Sequence, residues 1–314
     1  MKNIVVTFEC TKNQKEKLKA AAGDNKLIFS KEIKDANIVI GELDLDKIRE
    51  ASNLEWIQMT WAGTDKYTAN EGFPKNVRLS NASGAFGPII SEYILGAILT
   101  KYRHFEKYFE QQKDSIWQDV GTEDSLYGKK VLFIGTGDIC TNTANRLKAF
   151  GTFNTGLNRH GENKNDTYVG FDKIDLIKNV DIFLQDADIV ISAVPNKPET
   201  RHLLSKDRLL KMKKHATLVN VGRGTLLDVD ELNEVLDMGH LKYVILDVTN
   251  PEPLPQNHPL WKKENVLITP HISGKSIGHS QDTQNRIVEL CTKNLSRYLS
   301  GDALLHEIKE SDFE

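Results

Sequence analysis

The chain has 314 residues, with 41 Lys and Arg against 44 Asp and Glu, a formal net charge of -3 and 39% hydrophobic side chains. This length suffices for two domains, and the slightly acidic balance argues against a nucleic-acid partner, whose phosphates require a basic face. Cys10, Cys140 and Cys291 lie far apart with no C-x-x-C pair, so neither a disulfide framework nor a zinc cluster is indicated; with no run long enough for a secretory signal or a membrane span, a cytoplasmic protein without metal is expected.

Residues 3 to 8, NIVVTF, predict a first strand, and Asn13 to Ala22 a helix. Short apolar pieces follow at Leu27 to Phe29, Ile38 to Ile40 and Trp56 to Met59, the spacing of a small α/β domain with a parallel sheet. No nucleotide fingerprint follows its first strand. The turn Thr60-Trp61-Ala62-Gly63-Thr64-Asp65 comes directly after a strand, where open α/β sheets bind ligands, and amides near Ala62 to Thr64 suit a small anion. An ordinary strand-to-helix turn reads the same way. After the break NASGAFGP, residues 81 to 88, one helix is expected from Ser91 to about Gln112, with Ile94, Leu95, Ile98 and Leu99 on its early face and aromatics later. Its length suits a bridge between domains whose far end meets a second subunit, or simply a surface-packed helix.

The segment Gly128 to Cys140, GKKVLFIGTGDIC, organises the second half. Val131 to Ile134 suit a buried parallel strand, Gly135 a tight turn, Gly137 the close approach of a pyrophosphate, and Ile139 to Phe150 the helix whose amides face it. Cys140 replaces the third glycine of the fingerprint, and Asp138 either faces the phosphate or caps the helix. GTGDIC is equally compatible with a nucleotide loop and a plain strand-to-helix turn. Phe153 to Leu157 predict the next strand. It ends in Asn158-Arg159-His160-Gly161, without the acid that holds an NAD ribose; Arg159, aided by His160, suits the extra phosphate of NADP, as it also suits an exposed basic loop.

Further strands are predicted at Asp186 to Pro195, Ala216 to Val221, Tyr243 to Leu246 and Val266 to Ile268, and helices at Asp228 to Leu236 and Ser280 to Leu299. These repeats describe a doubly wound domain with polar residues gathered after the strands. The pattern assigns residues 1–96 and 284–314 to a discontinuous first domain and 97–283 to the nucleotide domain. Three residues after strands are candidates for the chemistry: Arg223, Glu252 and His271. A guanidinium fork matches a planar carboxylate, an imidazole exchanges protons near neutral pH, and a glutamate can orient that imidazole. Taken singly, each also reads as an ordinary surface, loop or capping residue. His202, His258 and His279 lack zinc-ligand spacing. Asp228, Asp230 and Glu231 read as the acidic start of a helix, and Cys140 as a packed thiol.

Four segments in order, Leu126-x-Gly128-Lys129, Val219-Asn220-Val221-Gly222-Arg223-Gly224, Leu246-Asp247-Val248 with Pro251-Glu252-Pro253-Leu254, and His258-Pro259-Leu260-Trp261 before Thr269-Pro270-His271, resemble the D-isomer-specific 2-hydroxyacid dehydrogenase family. The resemblance covers nearly the whole chain. It implies a doubly wound Rossmann-type nucleotide domain inserted in a smaller flavodoxin-like α/β domain, a homodimer, and hydride transfer between NAD or NADP and a small 2-oxo or D-2-hydroxy acid. Arg223 would bind the substrate carboxylate and carbonyl, His271 would be the acid/base and Glu252 its partner. The cofactor would meet Gly135, Gly137, Asp138, Ile139, Asn158, Arg159, His160, Val194, Pro195, Val221, Asp247, Ser273 and Gly274, and the substrate Trp61, Ala62, Gly63 and Thr64. Retention of Glu252 favours acid/base chemistry over formate oxidation. Cys140 and Trp61 depart from the family pattern. With Asp138, Cys140 motivates an alternative in which the chain is a catalytically weak nicotinamide-binding sensor or corepressor.

Overall fold

The computed structural model describes residues 1–70, 72–161 and 170–309. Its contacts divide the chain into Met1–Phe86 with Lys275–Glu314, and Gly87–Gly274. The last five residues of the stretch assigned above to the first domain, 310–314, lie outside the described residues.

The first unit contains β1 (Asn3–Val6), α1 (Lys12–Ala22), β2 (Lys26–Phe29), β3 (Ile38–Ile40), α2 (Leu45–Glu50), β4 (Trp56–Gln58), α3 (Asp65–Thr68) and β5 (Arg78–Ser80). Its five strands are parallel in the order β2-β1-β3-β4-β5, the flavodoxin-like arrangement. A capping box starts α1, with Thr11 Oγ1 accepting from Gln14 N and Gln14 Oε1 from Thr11 N.

The second unit contains α4 (Gly87–Tyr102), α5 (Phe105–Lys113), β6 (Lys130–Ile134), α6 (Asp138–Lys148), β7 (Phe153–Asn158), β8 (Lys173–Leu176), α7 (Val180–Leu184), β9 (Ile189–Ser192), α8 (Lys206–Lys211), β10 (Thr217–Asn220), α9 (Val229–Asp237), β11 (Tyr243–Leu246) and β12 (Val266–Ile268). Its seven parallel strands run β12-β11-β10-β9-β6-β7-β8, so the winding reverses between β6 and β9. This is a doubly wound Rossmann-type sheet, whose reversal opens a crevice at the carboxyl ends of the strands. Strands β9, β10 and β11 are buried along their whole length, as expected of a parallel sheet covered on both faces. The chain then returns to the first unit through α10 (Gln281–Ser300), capped by the Ser280 side chain and ended by left-handed Gly301.

Three expectations need correction. The helix placed from Ser91 to about Gln112 is two helices, because His104 adopts a left-handed backbone, φ 52°, that stops α4 before α5 begins. Lys101 and Tyr102 are drawn inward there: Lys101 Nζ donates to Glu264 O, and Tyr102 Oη lies 3.2 Å from Thr217 Oγ1. The domain boundaries move from 96/97 and 283/284 to 86/87 and 274/275. The first moves because α4 is continuous from Gly87 and buries Ile90, Ile94, Ala97 and Ile98 on one stripe, packing against α6 of the nucleotide unit. The first strand stops at Val6 instead of residue 8.

Candidate active site

The glycine turn after β6 has the form that a pyrophosphate requires. Gly135 is at φ +104°, and a Cβ there would lie 3.2 Å from Val194 Cγ1 and 3.3 Å from Ala193 O, so a side chain would be strained by the backbone and crowded by its neighbours. Gly137 is the N-cap of α6, and a Cβ built on it would meet nothing within 4 Å. The amides of Gly137 and Ile139 donate no hydrogen bond among the described residues. Unpaired amides at a helix N-terminus beside an open glycine fit a dinucleotide phosphate. Cys140 is fully buried where the third glycine was expected, and burial pushes its thiol up to about 12, so it packs and does not react. Asp138 needs a correction. Its own helix is capped by Gly137 with no side-chain bond, and the Asp138 carboxylate instead accepts from Gly87 N at 2.6 Å through Oδ2, at the start of α4, and from Asn142 Nδ2 through Oδ1. Neither departure from the fingerprint therefore blocks a cofactor.

At the end of β7, Asn158 Oδ1 accepts from the amides of His160 and Gly161, and its Nδ2 donates to Thr136 Oγ1. This Asx turn displays Arg159, whose side chain is 73% exposed and 3.9 Å from Glu199. Among the described residues the guanidinium has only this long-range ion pair, which an incoming anion can displace.

The remaining strand ends line up in sheet order. A Cβ on Gly222 would fall 2.7 Å from Val194 O, and one on Gly224 2.0 Å from Thr249 O, so the turns after β9, β10 and β11 are pressed together. Val194 and Val221 are buried in this row, and Pro195 O accepts from Thr200 Oγ1. Arg223, half-buried between the two glycines, donates from Nη1 to Gly222 O, while Asn220 Nδ2 donates to Arg223 O. Beyond β12, His271 Nδ1 lies 2.7 Å from Glu252 Oε1, with both side chains about half exposed. With the carboxylate accepting, Nδ1 carries the proton and Nε2 is left for exchange. His271 is left-handed at φ 51°, a conformation costing about 1–2 kcal/mol. The surrounding loop enforces it: Asp247, 1% exposed, accepts from Ile272 N, Ser273 N and Thr269 Oγ1, and its carbonyl accepts from His271 N. The Asp247 carboxylate, expected beside the cofactor, is engaged in holding this loop, and Ser273 is buried within it next to Gly274. Nothing in the local sequence marks the Thr269 hydroxyl for this role; only the fold shows it.

In the first unit, the Thr60 to Asp65 turn is anchored from three directions. Glu42 Oε1 accepts from Thr60 N and Oγ1, Asn81 Nδ2 donates to Ala62 O, and Ala82 N to Trp61 O. Burial raises the Glu42 carboxyl above the ordinary range despite the Thr60 bonds. The amides of Ala62, Gly63 and Thr64 donate no hydrogen bond among the described residues, and Trp61, 40% exposed, stacks on Phe86 at 6.4 Å. Glu42 and Asn81 carry no motif that sequence reading could have used.

Residues 95–273 match the family model for the D-isomer specific 2-hydroxyacid dehydrogenase, NAD binding domain. The chain is 32% identical over 270 residues to a glyoxylate reductase of Thermofilum pendens, covering 84% of this chain and 78% of that protein. It is 28% identical over 310 residues to a formate dehydrogenase of Neurospora crassa, covering 90% and 78%. Among solved structures, a D-isomer specific 2-hydroxyacid dehydrogenase family protein from Aeromonas salmonicida superposes with a TM-score of 0.87 at 30% identity, over 98% of this chain and 99% of that one. With its glycine turn, its ordered row of strand-end loops and these likenesses, the chain belongs to the D-isomer specific 2-hydroxyacid dehydrogenase family, whose members transfer a hydride between a nicotinamide cofactor and 2-oxo or 2-hydroxy acids.

Proposed function

We propose that this enzyme reduces short 2-oxo acids to D-2-hydroxy acids with NADPH preferred over NADH, with Arg223, His271 and Glu252 as its working residues. The observation that carries the reading is the 2.7 Å His271–Glu252 pair, in the same row of strand-end loops as Arg223 and the open glycine turn. When bound, a reduced nicotinamide supplies the hydride that reaches carbon 2 of the acid. Arg223 grips the substrate carboxylate and draws charge toward the carbonyl oxygen. His271 gives its Nε2 proton to that oxygen, and Glu252 steadies the ring through Nδ1. In the oxidising direction the same nitrogen takes the hydroxyl proton. The amides of Ala62, Gly63 and Thr64 assist in holding the carboxylate, with Trp61 limiting side-chain size. Gly135, Gly137 and Ile139 would hold the pyrophosphate, and Val194, Pro195, Val221, Ser273 and Gly274 would line the nicotinamide end. Glyoxylate, the substrate in the name of the Thermofilum pendens relative, heads the candidate acids, followed by hydroxypyruvate and pyruvate. The test is a panel of 2-oxo acids assayed with both reduced cofactors; absence of turnover across the panel rejects the proposal.

The cofactor preference rests on Arg159 and on the lack of an acid at the end of β7. A charge-assisted hydrogen bond to the 2′-phosphate is worth about 1.5–3 kcal/mol, so Arg159→Ala should lower kcat/KM for NADPH by roughly 10- to 150-fold and leave NADH within about twofold. A wild-type preference for NADH, or equal losses with both cofactors, contradicts the assignment.

The working form is proposed to be a homodimer in a reducing cytoplasm. No residue of α5 is buried; Phe105 and Phe109 expose apolar surface on it, and Ile116 and the fully solvent-facing Trp117 do so just past its end. No helix among the described residues is long and apolar enough to cross a membrane. A two-fold axis would use each side chain twice, so at about 2 kcal/mol per buried indole Trp117→Glu should weaken dimerisation about a thousandfold. Sedimentation analysis would show this as a shift to monomer, and an unchanged dimer would remove Trp117 and the segment after α5 from the interface.

A further inference from the structure

Tyr93 reaches from α4 to the loop after β12, where its Oη lies 2.6 Å from Thr269 Oγ1. Thr269 Oγ1 in turn donates to Asp247 Oδ1 at 2.6 Å. A threonine hydroxyl has one proton. Once that proton is given to Asp247, the phenol must be the donor in the other contact. Burial pushes the Tyr93 hydroxyl up to about 12, so it keeps its proton at neutral pH. The three groups form a directional chain from phenol to hydroxyl to carboxylate, in which each bond polarises the next. Its far end is the buried carboxylate that also holds the amides of Ile272 and Ser273, and the His271 amide donates to Asp247 O and Thr269 O.

We propose that Tyr93 and Thr269 are positioning residues: their relay locks Asp247 and thereby sets the backbone from which His271 presents its imidazole. The inference rests on His271 being the proton donor of the function proposed above. A hydroxyl at residue 269 is the essential element, since among the described residues it alone both accepts from the phenol and donates to the acid.

The test compares Thr269→Val, Thr269→Ser, Tyr93→Phe and the Val/Phe double variant in the full chain, by steady-state kinetics and by hydrogen exchange at Ile272 and Ser273. Small misplacements of an acid/base can cost on the order of 10² in rate, so Thr269→Val should lose about that much kcat and Tyr93→Phe roughly tenfold, with KM for the cofactor within about twofold. Thr269→Ser should recover most of the rate. The double variant should be no slower than Thr269→Val alone, because both changes break one chain. Amide exchange at Ile272 and Ser273 should quicken by about tenfold or more in Thr269→Val and hold near wild type in Thr269→Ser. Wild-type kcat in Thr269→Val, additive losses in the double variant, or a loss that serine does not restore overturns the proposal. Should valine prevent folding, Tyr93→Phe, which removes one oxygen, decides by its kcat and exchange alone. The exchange readout needs no turnover: unchanged exchange rejects the relay, whereas quickened exchange in a chain that reduces no 2-oxo acid rejects the function and leaves the loop restraint standing.

Discussion

His271→Ala should reduce kcat for 2-oxo acid reduction by about 10²–10⁴-fold, the usual contribution of a positioned acid/base, while cofactor affinity stays within about threefold. The oxygen of a reduced carbonyl leaves as a hydroxyl and must gain a proton. His258 also meets a carboxylate, Asp230 at 3.2 Å, but its Nδ1 already accepts from Leu260 N, whereas His271, 2.7 Å from Glu252, is left with Nε2 for exchange. Alanine removes the donor without touching the glycine turn that would carry the cofactor. Glu252→Gln should fall less, by roughly tenfold, since an amide oxygen still accepts from Nδ1 but lacks the charge that strengthens the bond. Stopped-flow kinetics with cofactor titration separates the two effects. Normal turnover in the alanine variant would take His271 out of the reaction.

Arg223→Ala should lower kcat/KM by about 10²–10⁴-fold, the equivalent of two hydrogen bonds to charged groups at about 1.5–3 kcal/mol each. Lysine should recover only part of this loss, because a point charge cannot reproduce the two parallel donors of the guanidinium. The position of Arg223 is well defined: Gly222 packs on the Val194 backbone, Gly224 on Thr249, and Asn220 Nδ2 binds the Arg223 carbonyl. Steady-state assays on a 2-oxo acid and on an aldehyde lacking the carboxylate make the comparison sharper. Only the acid should show the full loss, and equal losses on both would mean that Arg223 does not read the carboxylate.

The central strands could be read directly from the sequence because burial on both faces leaves runs such as Val131 to Ile134 and Tyr243 to Leu246 no choice but apolar residues. Edge strands β5 and β8 escaped notice, since Arg78 and Lys173 each open a short, partly exposed stretch with no alternation to detect. Helix starts at Asp228, with its acidic opening turn, and at Ser280 were legible, whereas the stop at His104 was not. It coincides with contacts made by Lys101 and Tyr102 with residues more than a hundred positions away in sequence.

Asp138 shows the same division within the site. Its place in the turn could be read locally, but its partner Gly87 lies 51 residues earlier, and only folding decides which helix it caps. The sequence by itself determined the fold class and the family and singled out Arg223, Glu252 and His271 as the candidates for the chemistry, because those are written in residue types at fixed short spacings. Tertiary structure decided the domain boundary at Gly87, the engagement of Asp247 and the hydroxyl relay from Tyr93. Each of these is a hydrogen bond or packing contact between segments distant along the chain, and no local pattern encodes such a pairing.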